Sequence, residues 1–127
     1  MPCVRSTKAK SILERLLSDE LTASGQVKGQ IAGPLTVGLS LVDQDGLPIY
    51  YHDDLRDVVV QTLAQNARCQ AAMLGQTGLR PIIFVDDPAI SAWGSRLHLS
   101  LSRDSIQADL ETIFSSIRSQ GALCGHC

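Results

Sequence analysis

The stretch Arg80-Pro-Ile-Ile-Phe-Val-Asp-Asp-Pro-Ala-Ile-Ser-Ala-Trp-Gly94 decides the fold. Ile82, Ile83, Phe84 and Val85 form a continuous apolar run, the pattern of a strand buried on both faces of a parallel sheet. Asp86 and Asp87 follow at once, and Pro88 ends ladder pairing. The reading is a strand over 81–85 that stops abruptly in two carboxylates. In α/β folds ligands sit at the carboxyl ends of the strands, so the pair is a candidate site. The alternative is that both aspartates are solvated or cap the next turn.

Outward from that strand, the rest of the chain alternates. Residues 7–23 read as a helix, with Ile12, Leu13, Leu16, Leu17 and Leu21 at spacings of three and four. Val27 to Ala32 reads as a short strand. Gly33-Pro34 ends it and opens a helix that continues from Leu35 to Val42. Asp43 to Pro48 is a turn-rich loop, with Tyr50-Tyr51 anchoring it to the core. Asp53 or Asp54 then caps a long helix to about Leu74, with Leu55, Val59, Leu63, Ala67 and Leu74 on its inner side. After the 81–85 strand, a loop runs from Pro88 to Ser102. Ser102 or Asp104 caps a helix striped by Ile106, Leu110, Ile113, Phe114 and Ile117, and Gly121 stops it. Ala122 to Cys124 starts a last strand.

The resulting order is α, β, α, α, β, α, β. It implies an α/β fold of about three parallel strands joined by crossover helices. Three strands leave two unpaired edges. A closed (β/α)8 barrel needs roughly 250 residues, and this chain has 127.

Composition limits the function. Hydrophobic content is 44% and charged content 19%, which argues for one globular domain over 1–127 and against disorder. Net charge is −2, which gives no reason to expect nucleic acid or an anionic membrane surface. No apolar run reaches the roughly 18 residues of a membrane span, and no signal-peptide pattern opens the chain. A cytoplasmic location is the expectation, with Cys3, Cys69, Cys124 and Cys127 reduced.

The other candidate chemistry lies at Gly121-Ala-Leu-Cys-Gly-His-Cys127. A zinc site needs about four ligands, or three plus an open position. Cys124, His126 and Cys127 supply at most three.

Three motifs, in order, bear a family likeness. Val27-Lys-Gly-Gln-Ile-Ala-Gly-Pro-Leu-Thr36 resembles the strand-then-helix "KG-x-x-TGP-x-T" segment of cobalamin-independent methionine synthase. Phe84-Val-Asp-Asp-Pro-Ala-Ile90 resembles that family's "DEPAL" strand end, and Gly125-His126-Cys127 the start of its His-x-Cys zinc motif. Ser91-Ala-Trp-Gly-Ser95 is similar to the "SAFGS" piece found in a less characterised branch of the methionine synthase and uroporphyrinogen decarboxylase-like superfamily. The resemblance covers about residues 26–127.

It implies a (β/α)8 TIM barrel, of which this chain would be a middle portion. It also implies zinc-assisted methyl transfer from a small-molecule methyl donor to a homocysteine-like thiol. Metal coordination would hold that thiol as a nucleophilic thiolate. Carried over by residue, Asp86 would hold the amino group of the thiol substrate, with Asp87 beside it. Gly33, Pro34 and Thr36 would shape the rim. Trp93, an aromatic loop residue, either covers a substrate or packs over the barrel mouth. His126 would be the first zinc ligand, with Cys127 and Cys124 as helpers. Two departures stand out. Asp-Asp-Pro replaces Asp-Glu-Pro, and the His-x-Cys pattern would need a cysteine one position beyond Cys127.

Two other readings compete. One is a non-catalytic half-barrel that pairs with a completing chain or self-associates through its open edges. The other is thiol–disulfide exchange, because Cys124-Gly-His-Cys127 has the letters of the protein disulfide isomerase active site. That chemistry relies on a helix starting at the first cysteine.

Overall fold

A computed structural model describes residues 11, 15, 25–92 and 101–126. Ser11 and Arg15 are helical, in line with the first expected helix, whose other residues lie outside the described ones. The elements are β1 (Gln26–Ala32), α1 (Pro34–Ser40), α2 (Asp53–Gly75), β2 (Arg80–Asp86), α3 (Arg103–Arg118) and β3 (Leu123–His126). Short 3-10 turns occupy Ile49–Tyr51 and Pro88–Ala92.

The strands form one parallel sheet in the order β1-β2-β3. Helices α2 and α3 cover the same face of it. Ala64, Ala67 and Ala71 of α2 and Ile113 and Ile117 of α3 share one core cluster with Ile31, Ile83, Val85 and Ala122. The strands follow in sequential order, and both helices lie on one side of the sheet.

The inner line of α2 differs from the sequence reading. Val59, Val60, Ala64, Ala67 and Ala71 are buried, whereas Leu55 is 42% exposed. Leu63 and Leu74 pack at the margin of the cluster. Small side chains let the helix backbone approach the sheet, and the larger leucines flank that contact. The helix also starts differently: His52 holds the N-cap position, and Asp53 and Asp54 lie in the first turn. There their charges favour the helix dipole without capping it.

Strand β2 is not buried on both faces. Pro81, Ile83 and Val85 are buried against the helices, and Ile82, Phe84 and Asp86 are half-buried on the other side. The continuous apolar run therefore has one covered face and one partly open face. Lys28 and Gln30 of β1 are exposed on that open side.

A second, smaller cluster holds Leu35, Tyr50 and Ile106, with Leu39, Ala89, Ile90, Leu101 and Leu110 against it. Tyr50 anchors its loop as expected and is 3% exposed. Its hydroxyl donates to Asp109 at 2.7 Å, and Arg56 approaches the same carboxylate at 3.5 Å. The expectation of reduced cysteines fails at Cys69, which is disulfide-bonded to a partner outside the described residues.

Candidate functional site at the carboxyl end of the sheet

Asp86 and Asp87 are neighbours in sequence and do different work. The backbone carbonyl of Asp86 accepts from Gly33 N at 2.8 Å, which ties the end of β2 to the start of α1. The side chain of Asp87 turns inward and is 2% exposed. It accepts from Leu35 N at 3.2 Å and Thr36 N at 2.7 Å, and Thr36 Oγ1 also donates to it. Helix α1 starts at Gly33-Pro34, where Gly33 has no side chain to cap with and Pro34 has no N–H to satisfy. Asp87 supplies the missing cap from 52 residues away. Thr36 Oγ1 accepts in turn from Ala89 N at 3.2 Å, so the turn after β2 is locked to the same helix start.

The structure therefore brings together Gly33, Thr36 and Asp87, three of the residues singled out from sequence. It gives them a shared structural bond. Asp86 alone of the pair presents its carboxylate to the open face. There Gln30 Nε2 donates to Asp86 Oδ2 at 3.2 Å. Lys28 Nζ lies 4.5 Å from the centre of the Phe84 ring on the same side. The Phe84 ring also fills the space in front of Gly125, where a β-carbon would stand 2.5 Å from it. Lys28, Gln30, Phe84 and Asp86 thus form a polar and aromatic row across the face opposite α2 and α3.

Sequence reasoning missed Lys28 and Gln30. The signal was present in the alternation of Gln26, Lys28 and Gln30 with Val27, Gly29 and Ile31, which is the period of a half-exposed strand.

Cys124 and His126 lie on the other face. In the β2–β3 register Ile83 stands beside Cys124 and Val85 beside His126. Both residues therefore point toward the helices, while Asp86 points away. Cys124 Sγ is 3.6 Å from the carbonyl of Phe114. Burial pushes its thiol pKa up, and Arg118 offsets part of that. His126 meets the Phe114 ring edge-on at 6.2 Å. It also borders a largely apolar cavity of about 420 Å³ between Ile90 and the first turns of α3.

No family model, curated protein or solved structure matches this chain.

Whether the residues fit zinc is a question of geometry and donor chemistry. Among the described residues no group of three or more His, Cys, Asp or Glu side chains could hold a metal ion. Cys124 and His126 share one face of β3, opposite the face that carries Asp86. Cys127 and Trp93 lie outside the described residues.

Thiol–disulfide exchange lacks its usual activating device as well. Cys124 sits inside β3, so no helix N-terminus depresses its pKa. Among the described residues, no helix is long and apolar enough to cross a membrane.

Proposed function

We propose that the chain is part of a (β/α)8 barrel related to the cobalamin-independent methionine synthases, and that its sheet face opposite α2 and α3 binds a thiol amino acid. The observation that carries this is the placement of Asp86. Its carboxylate stands at the carboxyl end of the central strand, on the face opposite α2 and α3, and one oxygen is steadied by Gln30. An ionised carboxylate in that position is suited to a substrate ammonium group. Gln30 would fix its orientation, and Lys28 lies one step down the strand. Gly33, Thr36 and Asp87 would support the rim through the shared cap and make no contact with substrate themselves.

The resemblance carries zinc-assisted methyl transfer with it, and zinc would supply thiol activation. None of the described residues is assigned to that step. The test is a calorimetric titration of the whole chain with L-homocysteine. Binding is expected, with loss of detectable binding in Asp86→Asn and an unchanged circular dichroism spectrum. Equal affinity in Asp86→Asn removes the assigned role, and so does an absence of binding by the unaltered protein at millimolar ligand.

A second reading, association with another chain, is favoured by Ile82, Phe84 and Leu123. These apolar side chains remain partly or largely uncovered on the same face, with Leu123 37% exposed.

A further inference from the structure

The open face of the central strand presents, in order, Arg80, Ile82, Phe84 and Asp86. This row runs from positive through two apolar residues to negative. Turned end for end, it complements itself. We propose that a second copy of this chain packs face to face on this surface, with the two β2 strands antiparallel and the two-fold axis level with Ile83. The proposal rests on the association reading above and names its partner and register.

The consequences of that register can be followed residue by residue. Arg80 of one copy meets Asp86 of the other, twice by symmetry. Ile82 meets Phe84, also twice, and forms the centre of the contact. An axis perpendicular to the strands keeps β1 opposite β1, so Lys28 faces Gln30 of the other copy at the same two levels. It also keeps β3 opposite β3. There Leu123 faces Gly125, in front of which the Phe84 ring of that copy lies, so Leu123 packs against the ring.

The pattern is an apolar centre with charged ends, the usual anatomy of a protein–protein contact. It is isologous, as a closed two-fold dimer requires. Facing sheets with strands nearly aligned is also a common packing for two twisted sheets. Charge availability agrees with this arrangement. Among the described residues, the Arg80 side chain has no acidic partner, and Asp86 is held only by the neutral amide of Gln30.

The edges of the sheet point the same way. Gln70 of α2 reaches over β1, accepting from Gln30 N at 3.2 Å and donating to Gln30 O at 3.1 Å. The β1 edge is thereby closed to strand addition at its middle, so association through the face does not compete with pairing there.

The experiment is sedimentation velocity of the whole chain over a concentration series, with charge variants. The unaltered protein is expected to be a dimer at tens of micromolar, on the order expected for a small transient interface. Arg80→Asp and Asp86→Arg each place two like-charged pairs in the contact and should weaken it more than about tenfold. The double variant R80D/D86R restores two opposite pairs and should recover the dimer, which also shows that the single variants failed through charge and not through folding. A monomeric unaltered protein overturns the proposal. A dimer insensitive to both single variants overturns this register while leaving association itself standing. Both readings engage the Asp86 carboxylate, so homocysteine should shift a dimer of this register toward monomer; a dimer that binds homocysteine without dissociating overturns the register, and a monomeric protein that binds none counts against the substrate reading.

Discussion

The carboxylate of Asp87 occupies the space where a β-carbon on residue 33 would have to stand. This close approach joins the end of β2 to the start of α1 and lets one buried side chain cap a helix far away in sequence. Gly33 is therefore required by contact, since its backbone is ordinary extended chain at φ −80°.

Gly33→Ala is expected to cost about 3 kcal/mol, from overpacking together with loss of the cap. Asp87→Ala should cost a similar amount, because the N–H groups of Leu35 and Thr36 lose a charged acceptor in a buried place. Urea unfolding curves would measure both. A change below about 0.5 kcal/mol in either variant, the scale of ordinary surface substitutions, would show that the cap is unimportant.

How much of this was legible in the sequence can be argued from the same residues. The strand end at Asp86, the helix opening at Pro34 and the cap at Ser102 could all be read, because each depends on local chemistry. The role of Asp87 could not, since its partners Leu35 and Thr36 lie across a sheet register. The same applies to Asp86 and His126. Alternation tells which residues share a face within one strand. It takes the Val85–His126 pairing to show that these two side chains point opposite ways. On α2 the reading found Val59 and Ala67, yet close packing also buried Val60, Ala64 and Ala71 and left Leu55 exposed.

Gln70 guards the edge of β1, and Gly29 gives it room. A β-carbon at residue 29 would stand 2.7 Å from Gln70 Oε1 and 2.8 Å from Ile83 Cδ1. Gln70→Ala should expose the N–H and C=O of Gln30 and raise the tendency to aggregate. Gly29→Ala should do the same by displacing the amide. Static light scattering during slow heating would report this as an earlier onset than in the unaltered protein. An unchanged onset in both variants would remove the guarding role.

Tyr50 and Asp109 form a half-hidden polar pair whose pH behaviour has a definite sign. Burial raises the Asp109 carboxyl above its ordinary value of 3.8, and the Tyr50 hydrogen bond and Arg56 pull it back. A raised folded value means that charging Asp109 costs stability as pH rises through that value. Tyr50→Phe keeps the ring against Gly38 and Arg56 and removes only the hydroxyl. It should cost about 1–2 kcal/mol at pH 7. The deficit should shrink as pH falls through the raised folded value, where the carboxyl takes up its proton. Urea unfolding at pH 7 and in acid would test this, and a deficit that grows in acid would reverse the assignment.

Cys124 offers the sharpest chemical test of the local environment. Its thiol lies against the Phe114 carbonyl, and burial raises its pKa above the ordinary 9.0 despite the nearby Arg118. Only the thiolate reacts with iodoacetamide, so the folded protein at pH 8 should label Cys124 more slowly than the protein in urea. Fragment-ion mass spectrometry of the Ser119–Cys127 peptide separates Cys124 from Cys127. The sign for stability follows from the same shift. The folded state holds this proton more tightly than the unfolded chain does. The stabilising contribution is therefore complete below pH 9.0 and is lost as pH rises through the higher folded value. Unfolding curves between pH 8 and 10 should fall more steeply for the unaltered protein than for Cys124→Ala. Rapid labelling at pH 8 in the folded state would instead mark an activated thiol, and the exchange chemistry suggested by Cys124-Gly-His-Cys127 would then need to be taken up again.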